Sequence, residues 1–404
     1  MGGCRDACRE APPEPASAPP ERPATREVPA RCAAEVGRAS VAIPPGTGDI
    51  DALAAGCRDG VLGVFALRGH VLSWTARGTA AGEPFSRPVV VSTGADRLGP
   101  VAMDAPEGPV AWRSPVAGLD EPERDDVWAA RIVRADGGSV APRGDVVLPA
   151  GVAGLGVPFA RAVSHGVRVL ATVAREGVAP STVSLDLALA RESPATLDAL
   201  PPGAPGQIEA WEPARAVTLS RVDEGGGAFL EARFPDGGSA RHRIDAPEMV
   251  VVPRGVETGE GAAFLVGEFA VGREDGGACV GAPGGICVRP GRVSLLIARA
   301  GERTLRALEV APRGIPDTLA AVGSSVTVLF VEPGEGDAST QRAAQVDVAT
   351  GARTTIDLAP PQGFPSIDAP QLVRCGDALW LVSSIAQDRV GAGITAIPMD
   401  CLSR

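Results

Sequence analysis

Residues 38–45 read RASVAIPP, a short apolar run that ends in two prolines. Such a run predicts a strand, and the proline indicates a strand end on an outer, edge-like strand, because proline cannot donate a ladder hydrogen bond. The same element recurs along the chain, usually with a glycine soon after it. It ends at Pro44, Pro149, Pro201, Pro247, Pro312 and Pro360, and a version without proline, PVVVSTG, ends near Ser92. Successive ends lie about 45–65 residues apart, a spacing that indicates a repeated supersecondary unit.

A second element precedes several of these strands. The stretches RADGGSV, FPDGGSA, ARAGERT and VATGART each join two strand-like runs. Asp-Gly and Ala-Gly supply the positive backbone φ that tight turns need. Each stretch therefore predicts the hairpin between the third and fourth strands of a four-stranded unit.

The six proline-ended strands and PVVVSTG together indicate seven units. After Pro360 only three strand-like runs remain, PQLVRC, ALWLVSS and GITAIPMD, so the fourth strand of the last unit is expected to be RASVAIPP from the N-terminal side. This arrangement resembles the β-propeller superfamily over residues 32–404. The resemblance implies an all-β fold, a seven-bladed β-propeller closed by its N-terminal strand. The repeats are generic and indicate no specific family.

The composition and charge of the chain limit the classes of partner that it can bind. The chain has 404 residues, no lysine, no asparagine and no tyrosine, a pattern that indicates a high-GC bacterium. Its net charge is -11, which disfavours nucleic acids and anionic membrane surfaces because both need cationic neutralisation. No apolar run approaches the ~18 residues of a membrane-spanning helix. A monomer is expected.

The N-terminal residues have a different character. Residues 1–31 are rich in Pro, Ala, Glu and Arg and predict a disordered spacer, and residues 32–404 form the propeller domain. The opening MGGC resembles a bacterial lipoprotein with a truncated signal peptide, with Cys4 as the lipidated residue. We expect an upstream start site, export, and a periplasmic or surface location with a lipid as the only membrane contact. A Cys4–Cys8 disulfide is the alternative.

The remaining cysteines indicate disulfides in an oxidising compartment, since no CxxC spacing is present. The propeller topology places Cys32, Cys57, Cys375 and Cys401 on one face, at the seam between the first and last blades. The pairs are either Cys32–Cys401 with Cys57–Cys375, or Cys32–Cys57 with Cys375–Cys401. We favour the first, because third and fourth strands are neighbours. Cys279 and Cys287 flank VGAPGGI and are expected to staple that loop.

Three loops between second and third strands are long and acidic, and the topology places them on one face. They form a candidate binding face for a cation or a basic partner, with the members Asp120, Glu121, Asp125, Asp126, Asp275, Glu335 and Asp337. The alternative is that these loops only keep the surface soluble. None has the spacing of a calcium loop.

Catalytic motifs are absent from the sequence: there is no GxSxG elbow, P-loop or HExxH, so we expect no catalytic residue, metal or cofactor. The leading hypothesis is a non-enzymatic cell-envelope protein that binds or scaffolds an unknown protein or small ligand. The alternative is an envelope carbohydrate-active hydrolase or lyase with its site at the central funnel. Three or more titratable side chains at the axis would favour the enzyme, and the innermost runs, such as GQIEAWEPA, supply few.

Overall fold

The computed structural model describes Cys32, Glu35 and residues 39–402 with gaps at 44–48, 94, 104–109, 116–130, 135–142, 146–153, 164–165, 176–177, 189–195, 200–207, 213, 246–247, 273–279, 282–286, 334–338, 359–367 and 386–391. The described residues form thirty strands and one short 3-10 turn, Met399–Cys401. Among them, no helix is long and apolar enough to cross a membrane. The spacer at 1–31, with Cys4 and Cys8, lies outside the described residues.

The strands form seven antiparallel sheets, numbered here in chain order. Sheet 1 contains β2 (Ala52–Arg58), β3 (Val61–Arg68), β4 (Val71–Gly78) and β5 (Val89–Thr93). Sheet 2 contains β6 (Ala95–Ala102), β7 (Val110–Pro115), β8 (Arg131–Arg134) and β9 (Arg143–Asp145). Sheet 3 contains β10 (Gly154–Val163), β11 (Gly166–Arg175), β12 (Val178–Ala188) and β13 (Thr196–Ala199). Sheet 4 contains β14 (Ile208–Glu212), β15 (Val217–Glu224), β16 (Gly227–Arg233) and β17 (Ser239–Ile244).

The last three sheets complete the chain. Sheet 5 has six strands, β18 (Glu248–Val251), β19 (Val256–Thr258), β20 (Gly261–Gly272), β21 (Val280–Gly281), β22 (Cys287–Ala298) and β23 (Arg306–Ala311). Sheet 6 contains β24 (Ile315–Val322), β25 (Ser325–Pro333), β26 (Ser339–Asp347) and β27 (Arg353–Asp357). Sheet 7 contains β28 (Asp368–Cys375), β29 (Ala378–Ile385), β30 (Gly393–Pro398) and, at its edge, β1 (Ser40–Ala42). The fold is therefore all-β and built mainly of four-stranded sheets.

The strand pairing follows the repeat read from the sequence. FPDGGSA, ARAGERT and VATGART each connect a third strand to a fourth, as predicted. The strand predicted at residues 38–45 pairs with the last strand of the chain, with Ser40 opposite Thr395 and Ala42 opposite Gly393. The long acidic loops fall between second and third strands, although Asp120, Glu121, Asp125, Asp126, Asp275, Glu335 and Asp337 themselves lie outside the described residues.

The apolar core lies between neighbouring sheets rather than inside any one of them. Leu62 and Val64 of sheet 1 pack against Val382 and Ile394 of sheet 7. Equivalent clusters join sheets 1 and 2, 4 and 5, 5 and 6, and 6 and 7. Because the described sheets of these clusters bury apolar side chains against their neighbours, burial of these faces requires the sheets to stack, and apolar burial is the dominant stabilising term.

The two ends of the chain are held together by two disulfides. Cys32 bonds to Cys401 with a Cα–Cα distance of 5.4 Å, and Cys57 bonds to Cys375 at 5.2 Å. Of the two pairings left open by the sequence, the favoured one is confirmed. The Cys279–Cys287 staple is a prediction about a pair that includes Cys279, which lies outside the described residues.

Candidate functional site

In most pairs of consecutive sheets the two first strands lie side by side. β2 packs against β6 and β28, β6 against β10, and β24 against β28 and β19. β14 joins this series through a parallel bridge between Trp211 and Arg254. Because parallel first strands share a direction, their equivalent residues lie at one level along the series.

Irregular pairing marks these first strands. The register against the second strand shifts in β6, β10, β14, β24 and β28. In sheet 5 the first strand is split, so that residues 252–255 stand opposite only Phe264 and Leu265. Bulges of this kind redirect side chains and are over-represented near functional sites.

A proline accompanies five of the six irregularities. The local sequences are LGPVA, GVPFA, VVPRG, GIPDT and DAPQL, and the residues that follow the proline are Val101, Phe159, Arg254, Asp317 and Gln371. This post-proline position is apolar in sheets 2 and 3 and polar in sheets 5, 6 and 7. In sheet 4, which has no such proline, the register shift falls at Glu209.

Gln371 shows where a post-proline side chain reaches. Its Nε2 donates to the Leu53 carbonyl at 2.6 Å, and its Oε1 accepts from the Ala55 N–H at 3.1 Å. Both partners are backbone groups of β2, the neighbouring first strand. The side-chain amide thus bridges two first strands in the way that backbone groups do between β14 and residues 253–255.

Glu209, Arg254 and Asp317 are the charged residues at the strand irregularities of sheets 4, 5 and 6, and we refer to them as the bulge site. They come from sheets 4, 5 and 6, three consecutive sheets. Burial raises the pKa of Glu209, against the opposing charge of Arg221. Burial also raises the pKa of Asp317, whose Oδ2 accepts a hydrogen bond from Gln341 Nε2 at 3.1 Å.

Arg254 combines two properties. Its side chain is exposed to solvent, yet enough protein surrounds it that desolvation lowers the pKa of the guanidinium, with Glu212 opposing the shift.

Within the described residues, no two members of the bulge site are hydrogen-bonded or ion-paired to each other. Glu209 and Asp317 come from sheets that are not adjacent, with sheet 5 between them. The structure therefore does not join these two carboxyls as an acid–base pair. It presents three separate charged groups on neighbouring first strands, with Arg254 level with Trp211, two residues beyond Glu209.

The sequence missed Arg254 and Asp317 because each charge stands alone in an apolar run. The available signal was the proline within a predicted first strand, since proline inside a strand indicates a bulge or an edge. Of the described histidines, His242 lies in β17 and His70 lies in the exposed turn after β3. Among the described residues, Cys32, Asp400 and Cys401 form the one group with metal-ligand spacing, and both of its cysteines are in a disulfide.

Comparison with known proteins finds no matching family model and no matching curated protein. Solved structures with similarity include the phage phi92 endosialidase, at 9% identity and TM-score 0.44, covering 90% of this chain and 69% of the endosialidase. A polysaccharide lyase of family PL25, an ulvan lyase, has 10% identity and TM-score 0.47 and covers 87% and 93% of the two chains. A GH43_1 enzyme from Xanthomonas citri has 14% identity and TM-score 0.32 and covers 91% and 93%.

All three are carbohydrate-active enzymes and all are distant from this chain. The strand pairing of this chain makes it an all-β protein of mostly four-stranded antiparallel sheets.

Proposed function

We propose that the protein is a seven-bladed β-propeller, closed by β1, that binds a ligand at the bulge site without transforming it. Support for the ring comes from the seven sheets, the cores between neighbouring sheets, and the pairing of β1 with β30. The observation that carries the binding function is the placement of Glu209, Arg254 and Asp317 at register shifts of three consecutive first strands. A rigid scaffold that carries separate polar groups on neighbouring strands is typical of a binding site.

We further propose that the protein works in an oxidising compartment outside the cytoplasm. Two disulfides between the chain ends support this, since such bonds persist in exported proteins and are reduced in the cytosol. A lipid on Cys4 and the spacer at 5–31 would hold the domain at a membrane as a monomer. Mass spectrometry of the native protein, alkylated with and without reductant, tests the compartment: free thiols at Cys57 and Cys375 in the native protein would contradict it.

The binding function is tested with the full-length protein and a panel of cell-wall saccharide fragments and short peptides. Ligands are detected by a rise in melting temperature, because binding to the folded state stabilises it. We expect Asp317→Ala to remove the rise and the exposed control Asp377→Ala to keep it. A ligand that stabilises both variants and the wild type equally would show that the bulge site is not where it binds.

A second candidate function is a carbohydrate-active enzyme. It is favoured by the raised pKa of Glu209 and Asp317, because a carboxyl that stays protonated at higher pH can act as a general acid. The same saccharide fragments, incubated with the protein and analysed by mass spectrometry, distinguish the two. Cleavage that is lost in Glu209→Gln or Asp317→Asn would establish the enzyme, and intact fragments that remain bound would support the binding protein.

A further inference from the structure

The backbone around Arg254 is held from two sides. The N–H of Val252 donates to the Leu265 carbonyl at 2.9 Å, within sheet 5. Towards sheet 4, the Trp211 N–H donates to the Pro253 carbonyl and the Gly255 N–H donates to the Trp211 carbonyl, each at 3.0 Å. A Cβ on Gly255 would meet the Phe264 ring and would lie 3.1 Å from Glu212 Cβ, so the strand has no room to shift. Arg254 therefore projects from a fixed platform.

Several other arginines of sheets 4 and 5 have carboxylate partners. Arg233 pairs with Glu231 at 2.7 Å, and Arg292 pairs with Glu268 at 2.6 Å. Within the part of the chain that the structure describes, no hydrogen bond or ion pair ends on the Arg254 guanidinium. The missing partner matters for ligand binding, because a guanidinium offers five N–H donors in a planar fork.

Glu212, the acid whose charge acts on Arg254, is not a hydrogen-bond partner of the guanidinium. Glu212 is buried and interacts with Arg254 electrostatically, but its two oxygens accept hydrogen bonds from the Ala214 N–H at 2.8 Å and the Arg215 N–H at 2.7 Å. These bonds anchor Glu212 to the turn after β14. Its charge helps to keep Arg254 protonated, while the donor fork of Arg254 stays open to solvent.

We propose that Arg254 is the anion-binding residue of the site and that the ligand carries an oxyanion, either a carboxylate or a sulfate ester. This deepens the proposed function and rests on it. An oxyanion matches the guanidinium fork through two parallel, charge-assisted hydrogen bonds. Such a ligand would supply the hydrogen-bond acceptors that the described protein residues do not.

The neighbours of Arg254 limit the ligand further. Glu209 and Asp317 belong to the first strands on either side of the Arg254 segment, in sheets 4 and 6, and the whole chain carries a net charge of -11. A polyanion would meet repulsion on both sides, whereas one anionic group surrounded by hydroxyls would place donors against the flanking carboxylates. The ligand class is therefore a small hydroxyl-rich acid, of which an acidic sugar is the simplest form.

Three probes separate the sources of the oxyanion: methyl glucuronide carries a carboxylate, glucose 6-sulfate carries a sulfate ester, and methyl glucoside is neutral. Binding to the full-length protein is measured by isothermal titration calorimetry. We expect one of the two anionic probes to bind and the neutral probe not to bind, with affinity that weakens as salt rises. Equal binding of the neutral and anionic probes, or no binding of either anion, would overturn the inference.

Variants then test whether Arg254 is the residue that contacts the anionic probe. Arg254→Gln is expected to weaken binding of the anionic probe by about tenfold or more, and Arg254→Lys by less, because lysine keeps the charge but lacks the fork. Arg303→Gln, which removes an exposed arginine from the outer edge of the same sheet, is the matched control and should bind like the wild type. Unchanged affinity in Arg254→Gln would refute the role of Arg254. If Asp317→Ala abolished that binding, the bulge site itself would still stand.

Discussion

Glu35 and Arg77 form an ion pair at 2.8 Å, and both side chains are buried, with 1% of Glu35 and 0% of Arg77 exposed to solvent. The second oxygen of Glu35 accepts from the Gly82 N–H at 2.9 Å, and Arg77 lies over the ring of Trp380 at 4.9 Å. Glu35 precedes β1, Arg77 belongs to sheet 1, and Trp380 belongs to sheet 7. One ion pair therefore connects the entering chain to both sheets of the seam.

Glu35→Gln is expected to destabilise the protein by about 3–5 kcal/mol, because it leaves Arg77 buried without a countercharge. Chemical denaturation measures the loss. Glu302→Gln removes a carboxylate that is 44% exposed from its pair with Arg299 and should change stability little. A loss in Glu35→Gln no larger than in this control would show that the buried pair does not stabilise the seam.

The two disulfides should not contribute independently. They join the same two ends of the chain, with separations of 369 and 318 residues. Once one of the two bonds is formed, the second bond closes a loop of only about 50 further residues. In the chain-entropy model, removing one bond then costs about 4 kcal/mol, and removing both costs about 2 kcal/mol more than the sum of the single losses. The Cys32→Ser/Cys401→Ser and Cys57→Ser/Cys375→Ser pairs and their combination, compared by denaturation, measure this coupling. Strict additivity would contradict the shared-loop explanation.

Asp317 should make stability fall as pH rises. Burial raises its folded pKa above the ordinary value of 3.8, so the folded state holds the proton more tightly than the unfolded state. The resulting penalty is absent below pH 3.8 and grows as pH rises through the folded pKa. Asp317→Asn should therefore melt higher than the wild type near neutral pH and equal to it in acid. A lower melting temperature at neutral pH would mean that the carboxylate is stabilised there.

Glu231 should behave in the opposite direction. Burial opposes its ionisation, but the hydrogen bonds and charges of Arg233 and Arg241 outweigh burial and lower its pKa below 4.5. Its stabilising contribution is therefore fully present above pH 4.5 and is lost as pH falls through the lower folded value. Glu231→Gln should melt lower than the wild type at neutral pH, and the two should converge in acid. A difference that persisted at low pH would indicate lost packing instead.

Gly63 in β3 is expected to tolerate no larger side chain. A Cβ there would overlap the Trp74 ring and lie 2.8 Å from Met103 Cε, in the core between sheets 1 and 2. Gly63→Ala should lose about 1–3 kcal/mol through overpacking. Gly259→Ala, where a Cβ would meet nothing within 4 Å, is the control. Equal melting temperatures for the two variants would show that Trp74 and Met103 repack freely.

The strands and their pairing were predictable because the repeat appears in the sequence as apolar runs, prolines and tight turns at regular spacing. The partner of RASVAIPP and the pairing of Cys32 with Cys401 followed from counting strands, since a unit with three strands needs a fourth. In sheet 2 the described part of the fourth strand is Arg143–Asp145, and VVLPAG, where we expect its end, lies outside the described residues.

The bulge site was not predictable in the same way. Glu209 was visible only as a charge in the run GQIEAWEPA, and Arg254 and Asp317 were isolated charges beside prolines. Their shared position depends on which strand is innermost and where its register shifts. That information comes from the pairing of β14, β18, β19 and β24 with their neighbours, which spans many residues and has no local pattern in the chain.

The pairing of β1 with β30 also sets an order of events during synthesis. Ser40 leaves the ribosome 355 residues before Thr395, its partner in the ladder. Until that partner exists, the early segment has nowhere to dock and the last sheet has a bare edge. Assembly of the middle sheets can precede this step, but completion must wait for the final residues of the chain. A truncated product would therefore keep its earliest strand unpaired, which makes it a natural substrate for quality control.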